Sequence, residues 1–281
     1  MIDTALAVLL IAFIGLFGLA IGSFLNVVAY RVPLGLSVAS PPSACPGCDS
    51  PIRSRDNIPV LSWLLLRGRC RTCREPISAQ YPLVEAASGI FFVAVAAWFM
   101  PRIAAAETLW PHGVAASLAL VAFLYLAAIS IPLTLIDLRT QKLPNRIVRP
   151  AYLVAGALLL TASALTGDWA GALRTLAGAV ILFVLYLVLA LVYPGGMGFG
   201  DVKLAGLLGL YLGYLGWGSL LVGGFAAFVV GGLVSLALIA LRRANRKSGI
   251  PFGPWMLAGA LIGALAGEPL FTAYLTMLGM A

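Results

Sequence analysis

Residues 114–140 read VAASLALVAFLYLAAISIPLTLIDLRT, and this stretch decides the fold. Its first 23 residues contain no charged side chain, and Asp137 and Arg139 follow them. About 20 apolar residues are enough for an α-helix to cross the hydrocarbon core of a bilayer. The stretch therefore predicts a transmembrane helix that ends at a polar boundary.

The rest of the chain has the same character. Of the 281 residues, 62% are hydrophobic and 10% are charged. A soluble domain carries about 25% charged residues, so the composition excludes a soluble enzyme, a disordered chain and a nucleic-acid-binding domain. We expect an all-α polytopic membrane protein with about eight transmembrane helices, of which the sixth is the shortest. The apolar runs are residues 5–29, 82–100, 114–136, 148–164, 171–192, 202–215, 219–241 and 252–277.

The basic residues predict the orientation of these helices. With the N-terminus outside, 16 of the 18 Lys and Arg residues lie on the cytoplasmic side, and Arg102 and Arg174 lie outside. Cytoplasmic loops of membrane proteins collect Lys and Arg, so the net charge of +8 indicates orientation and not a nucleic-acid partner. Asp3 stands where a signal peptide would carry basic residues, so we expect an uncleaved first helix.

The predicted helices divide the chain into three parts. Residues 1–30 form the first transmembrane helix, residues 31–81 a small cytoplasmic insertion, and residues 82–281 a seven-helix membrane core. The insertion contains all four cysteines, in two Cys-x-x-Cys pairs with 21 residues between them: Cys45, Cys48, Cys70 and Cys73.

This cysteine pattern predicts a structural zinc site. Two Cys-x-x-Cys turns can present four sulfurs to one tetrahedral ion, and the arginines around the second pair favour thiolates. A closed four-cysteine site leaves no position for water, so the metal would stabilise a segment that has few large apolar residues. The alternatives are two disulfides, which a reducing cytoplasm disfavours, or four free thiols.

Three acidic residues stand at the edges of apolar runs on the predicted cytoplasmic face: Glu85, Asp137 and Asp201. Ionised groups are costly in hydrocarbon, so such residues are candidates for function. Asp137 and Asp201 could share a proton and activate a water molecule, as the carboxyl pair of an aspartic protease does. Alternatively, Asp137 could pair with Arg139, and Asp201 could cap a helix.

The sequence contains no competing catalytic set. His112 is the single histidine and lies on the predicted outer side, and no phosphate loop or His-Glu-x-x-His motif occurs. The glycine-rich residues 194–200 precede Asp201, and they could admit an extended substrate backbone or serve as a turn or packing site. Three further glycines have the spacing of helix packing: Gly259, Gly263 and Gly267.

Together these residues resemble the type IV prepilin peptidase family, whose members carry a Gly-x-Gly-Asp signature. The resemblance covers nearly the full length and rests on an ordered set of motifs. These are residues 22–33 (GSFLNVVAYRVP), the two cysteine pairs, residues 81–85 (YPLVE), Asp137 with Leu143-Pro144-Asn145, residues 198–203 (GFGDVK) and residues 251–254 (PFGP).

The resemblance implies a two-activity enzyme of the bacterial inner membrane. The first activity removes the leader peptide of type IV prepilins and type II secretion pseudopilins at the cytoplasmic face. Asp137 and Asp201 match the catalytic pair of the family. The residues beside the substrate are then Gly198, Phe199, Gly200 and Lys203. The partners implied are these substrates and membrane lipid.

The second implied activity methylates the new N-terminal amine with S-adenosylmethionine. The resemblance assigns no methyl-donor site. Glu85 is a candidate contact, and the alternative is that it pairs with a neighbouring arginine. Outside this family, the chain could be a proton-coupled transporter or a non-catalytic membrane scaffold, but transporter sites usually lie near the bilayer midplane.

The ends of the predicted helices suggest which of the two aspartates is ionised and which is protonated. A helix N-terminus favours negative charge and a helix C-terminus disfavours it. Asp201 begins one helix and Asp137 ends another, so we predict that Asp201 is the ionised general base and Asp137 the protonated acid.

Overall fold

The computed structural model describes residues 3–106, 108–193, 196–243 and 249–280. In these ranges the regular structure is helical, with two isolated β-bridges in the insertion. Arg246 and Lys247 of the charge count, and Pro194 and Gly195 of the glycine-rich loop, lie outside the described residues. The α-helices are α1 (Thr4–Arg31), α2 (Leu61–Leu65), α3 (Gln80–Ala104), α4 (Val114–Thr140), α5 (Asn145–Leu165), α6 (Trp169–Val192), α7 (Phe199–Leu215), α8 (Trp217–Ala240) and α9 (Gly253–Met277).

Seven helical segments in the described part of the chain are long and apolar enough to cross a membrane: α1, α3, α5, α6, α8, α9 and Leu109–Thr140, which contains α4. The predicted all-α, multi-pass membrane fold is therefore confirmed. The sixth predicted crossing differs from the others. It forms α7, which has 17 residues and buries 11 of them, so it is an interior helix and not a lipid-facing one.

The chain forms two compact units, and the first consists of Met1–Leu109 and Phe123–Pro132. In this unit α1 packs closely against α3. A Cβ atom added at Gly18 would lie 2.7 Å from Cβ of Phe92, and one added at Gly22 would lie 2.7 Å from Cα of Glu85. Small residues allow helix backbones to approach in membranes, so these glycines bring the end of α1 against the first turns of α3.

The second unit consists of Trp110–Ala122 and Leu133–Ala281. In it α7 packs against α5, α6, α8 and α9. The packing role predicted for the spaced glycines of α9 is confirmed. A Cβ atom added at Gly263 would lie 2.5 Å from Cα of Gly223, and one added at Gly267 would lie 2.5 Å from Cα of Ser219. The enclosed part of α7 begins at Val202, so Asp201 lies in the first turn, where the buried helix meets its more exposed start.

Candidate active site and metal centre

Asp137 lies in the last turn of α4 and is 3% exposed. Its Oδ2 atom accepts a hydrogen bond of 2.9 Å from the N–H of Gly253, the first residue of α9. The first N–H groups of a helix have no partner within the helix, so the carboxyl group satisfies one of them. The side chain is thereby fixed between the end of one helix and the start of another.

Asp201 lies in the first turn of α7 and is half-buried. Its Oδ2 atom accepts a hydrogen bond of 3.1 Å from the N–H of Gly198, the N-cap residue. No ion pair joins Lys203 to this carboxyl group in the described residues. Its Nζ atom donates to Oδ1 of Asn145 at 2.8 Å and lies 4.7 Å from the ring centre of Phe199.

The structure brings the two aspartates together within the second unit. They are close enough for their charges to interact. Leu143 contacts the backbone beside both of them. A Cβ atom added at Gly200 would lie 3.0 Å from Cβ of Leu143, and one added at Gly253 would lie 3.4 Å from Cδ2 of Leu143. Two carboxyl groups from different helices therefore share one polar site at the helix ends.

The position of the shared proton stays a prediction. The sequence-based assignment considered only the helix that carries each aspartate. The structure adds the N-terminus of α9, whose Gly253 N–H bonds to Asp137. Because a helix N-terminus favours negative charge, α9 offsets the unfavourable effect of the α4 C-terminus on an ionised Asp137.

Sequence reasoning missed two contributors to this site. Gly253 belongs to the quoted PFGP motif, but the motif by itself did not indicate a contact with Asp137. Tyr186 of α6 is 2% exposed and lies within electrostatic range of Asp201. Its ring packs against Phe252, with 6.3 Å between the ring centres. The sequence around an aromatic residue in an apolar helix does not indicate that this residue lies near an aspartate of another helix.

The four cysteines form a cluster in the first unit, and no disulfide links them. Their Sγ atoms all lie within 4.8 Å of one another, and those of Cys45 and Cys73 are 3.6 Å apart. A tetrahedral zinc ion with Zn–S bonds of about 2.3 Å requires sulfurs roughly 3.8 Å apart. The spacing of the sulfurs therefore fits the predicted metal.

Each cysteine pair sits in the same kind of turn. The bridges Ala44–Pro51 and Arg69–Pro76 close the two turns. The N–H of the first cysteine donates to the carbonyl five residues later, at 3.0 Å in the first turn and 2.8 Å in the second. The motif Cys-x-x-Cys-x-x-Pro-Ile thus occurs at residues 45–52 and again at 70–77.

The turn geometry also favours the thiolate form. The backbone N–H groups of Cys73 and Thr72 lower the pKa of Cys70 to about 6. Hydrogen bonds from the side chain and backbone of Ser50 lower the pKa of Cys48 below its usual range. Burial and the neighbouring sulfurs raise the pKa of Cys73 to about 12. Because the thiolate is the form that binds metals, the hydrogen bonds of the turns favour metal binding at Cys70 and Cys48, and a cation would be needed to stabilise a thiolate at Cys73.

Glu85 is buried in the first unit, and it has no arginine partner among the described residues. Its Oε2 atom accepts a hydrogen bond of 2.7 Å from the N–H of Val60. Val60 has a φ of 62°, which is unfavourable for a β-branched residue. Asn26 lies nearby on α1, and its Nδ2 atom donates to the carbonyl oxygen of Tyr81 at 3.2 Å. Sequence reasoning assigned no role to Asn26.

Comparisons with known proteins agree with this architecture. Residues 16–99 match the bacterial peptidase A24 N-terminal domain, and residues 122–236 match the type IV leader peptidase family. A protein of Aeromonas hydrophila named "Prepilin leader peptidase/N-methyltransferase" is 37% identical, over 93% of this chain and 92% of its own length.

Two further proteins with the same name show comparable similarity. The one from Pectobacterium carotovorum subsp. carotovorum is 34% identical over 90% of this chain and 91% of its own length. The one from Pseudomonas putida is 34% identical over 93% and 92%. No solved structure matches the chain. From the matched domains and these relatives, the chain belongs to the type IV leader peptidase family.

Proposed function

We propose that this protein is a membrane aspartic endopeptidase that removes the leader peptide of type IV prepilins and type II secretion pseudopilins and then N-methylates the new N-terminal residue. One observation carries the peptidase proposal. In a member of this family, Asp137 and Asp201 come from different helices into one site, and a backbone N–H fixes each carboxyl group.

The reaction uses the two carboxyl groups in opposite protonation states. The ionised carboxylate takes a proton from a water molecule, whose oxygen attacks the carbonyl carbon of the scissile peptide, while the protonated acid donates to the carbonyl oxygen. Collapse of the tetrahedral intermediate breaks the C–N bond. The carboxyl group that took the proton from water gives it to the leaving amine, and a hydroxyl of the intermediate returns a proton to the other carboxylate. Both backbone N–H groups bond to Oδ2, and we propose that Oδ1 of each aspartate contacts the water and the substrate.

The start of α7 supplies a surface for the substrate. Gly198 and Gly200 have no side chains to keep an extended peptide away from Asp201, and Phe199 is exposed. Lys203 is held beside Phe199 by its bond to Asn145. We propose that this segment binds the residues around the cleavage point. The predicted topology places it at the cytoplasmic boundary, where a leader peptide meets the membrane helix that follows it.

Two bound groups belong to the proposal. Cys45, Cys48, Cys70 and Cys73 would hold a structural zinc ion, since their Sγ atoms all lie within 4.8 Å of one another. When bound, S-adenosylmethionine would supply the electrophilic methyl group for the new amine. Glu85 remains the candidate contact for this methyl donor, because it is buried and has no arginine partner in the described ranges.

A prepilin co-expressed with the protein tests the peptidase assignment. We expect Asp137→Asn and Asp201→Asn each to lower leader cleavage, seen as a gel shift, by at least about 10²-fold, because each removes one proton-transfer group. Asp49→Asn is the matched control, since Asp49 is exposed at a φ of 53° that asparagine tolerates. Unimpaired cleavage by Asp201→Asn would reject the mechanism. Mass spectrometry of the mature N-terminus tests for the added methyl group.

The transporter alternative is not favoured. Asp137 lies in the last turn of α4 and Asp201 in the first turn of α7, so neither acid marks the middle of a helix. A transporter relay would place ionisable groups near the midplane. A non-catalytic scaffold would not require two aspartates held together by backbone donors from the starts of two helices.

A further inference from the structure

The peptidase site leaves unused a pair of buried acceptors in the first unit. Asn26 is 4% exposed and Glu85 is 7% exposed, and Oδ1 of Asn26 has no hydrogen-bond partner among the residues that the structure describes. We propose that Asn26 and Glu85 together bind the primary ammonium group of a methylation substrate. The inference rests on the second reaction of the proposed function, and it adds Asn26 and a ligand chemistry to that reaction.

The orientation of the Asn26 side chain is determined by its neighbours. Its Nδ2 atom donates to the carbonyl oxygens of Gly22 at 3.3 Å and Tyr81 at 3.2 Å. Carbonyl oxygens only accept, so a flipped amide would place three acceptors together. Oδ1 must therefore face away from both carbonyls. A buried polar atom without a partner is rare in proteins, and a donor from a bound ligand would satisfy it.

Glu85 lies on the facing surface of α3. Gly22 of α1 lies against Glu85 of α3, and Asn26, one turn later on α1, bonds to Tyr81, one turn earlier on α3. The two helices are thus antiparallel, and Asn26 and Glu85 are about one helical turn apart. Helical side chains lean towards the N-terminus of their helix. The Glu85 carboxylate therefore extends towards Tyr81, which is the level of Asn26.

The insertion covers this pair from one side. The N–H of Val60 donates to Oε2 of Glu85 at 2.7 Å, and Oγ of Ser23 donates to Oδ1 of Asn57 at 3.5 Å. Residues 57–60 therefore lie against the paired ends of α1 and α3. The positive φ of Val60 points its N–H at Glu85, and this is the single donor that the described residues supply to the carboxylate.

The chemistry of these groups defines the ligand. Oδ1 of Asn26 and the Glu85 carboxylate only accept hydrogen bonds, and no described arginine or lysine neutralises Glu85. A primary ammonium has three N–H donors, no acceptor and one positive charge, so it complements both groups. Both substrates of an N-methylation carry such a group. S-adenosylmethionine has an α-ammonium, and the cleaved pilin has an N-terminal one.

The test uses the full-length protein in lipid nanodiscs and compares Glu85→Gln, Asn26→Ala and the control Glu75→Gln with the wild type. Glu75 is an exposed acid of the same insertion. Glutamine at position 85 can still accept the Val60 N–H, which protects the fold. The measurements are the Kd of S-adenosylmethionine by equilibrium dialysis, the KM of a cleaved pilin N-terminal peptide in the methylation reaction, and the rate of leader cleavage.

We expect Glu85→Gln and Asn26→Ala to raise one of the two constants about tenfold or more, as loss of a charge-assisted hydrogen bond does, with leader cleavage unchanged. A raised donor Kd assigns the site to the donor, and a raised peptide KM at constant donor Kd assigns it to the acceptor. Glu75→Gln should match the wild type.

Other results would overturn the inference. Wild-type values of both constants in Glu85→Gln and Asn26→Ala would exclude an ammonium contact. Parallel loss of leader cleavage in these two variants would indicate a structural role for the pair. A wild-type protein that neither binds the donor nor methylates the peptide would reject the proposed second reaction itself, and the inference with it.

Discussion

At the residue scale, the setting of Asp137 depends on the absence of a side chain at Gly253. The N–H of Gly253 holds the carboxyl group. A Cβ atom added at Gly253 would lie 2.8 Å from Oδ2 and 3.3 Å from Cγ of Asp137. Contacts this short force one group to move, and Asp137 is the closest neighbour. Glycine at this position is therefore required by close approach.

A side chain at position 253 should therefore disturb the catalytic carboxyl group. We expect Gly253→Ala to lower leader cleavage about 10²-fold, because a displacement of roughly 1 Å in a catalytic group has an effect of that size. The rate of cleavage of a purified prepilin measures it. Gly156→Ala is the matched control, since no atom lies within 4 Å of a Cβ atom there and alanine favours helix. Full activity in Gly253→Ala would show that leader cleavage does not depend on the placement of Asp137 by Gly253.

At the scale of elements, the insertion depends on its two cysteine turns. Its regular structure in the described residues is a three-residue helical turn, Ser54–Asp56, and the five-residue α2. Arg71 donates to Asp56 at 2.6 Å and holds the pKa of that carboxyl group below its usual range. The Arg71 side chain is 52% exposed and that of Asp56 is 12% exposed, and an ion pair with one partner open to water contributes little to stability. A metal ion that links the turns is the stronger constraint.

Removal of zinc tests this dependence. We expect about one zinc ion per chain by metal analysis. Arg53 and Arg55 are already exposed, so we expect a chelator or Cys70→Ser to unfold the chain around them and allow trypsin to cut there, while the membrane helices stay protected. Zinc added back after chelation should restore resistance in the wild type but not in Cys70→Ser. A metal-free wild type with an equally resistant insertion would contradict the prediction.

At the scale of the whole molecule, the charge distribution predicts the orientation in the membrane. All seven arginines from Arg31 to Arg74 lie at the end of α1 or in the insertion, and loops rich in arginine stay in the cytoplasm. The predicted side of the insertion depends only on the crossings before it, and α1 is the one helix that precedes the insertion. The interior position of α7 therefore does not change this expectation. The two described flanking helices, α1 and α3, both qualify as membrane spans.

Limited proteolysis checks the orientation. We expect trypsin to leave the insertion intact in spheroplasts and to cut it at Arg53 and Arg55 in inverted inner-membrane vesicles, after the metal is removed. A tag at the N-terminus should behave in the opposite way, because we predict it outside. Cleavage of the insertion in sealed spheroplasts would reverse the topology and would separate the proposed active site from a cytoplasmic leader peptide.

The sequence alone determined the membrane class and the helix positions, and it predicted the four cysteines as metal ligands and the two aspartates as the catalytic pair. Hydrocarbon cannot solvate backbone polar groups, so long apolar runs must form helices. The few charged residues at the edges of these runs are then candidates for function. Resemblance to a family supplied the proposed chemistry. The ends of the predicted apolar runs agree with the ends of the helices in the structure within a few residues, because both depend on local composition.

Only the tertiary structure decided which groups meet. Gly253 reaches Asp137 across 116 residues of chain, and Asn26 reaches Tyr81 across 55. It also showed that α7 is an interior helix and that Glu85 receives a backbone donor from Val60 in place of an arginine. Such contacts depend on the packing of whole helices, whose small residues allow close approach, and no local pattern encodes which partners that packing selects.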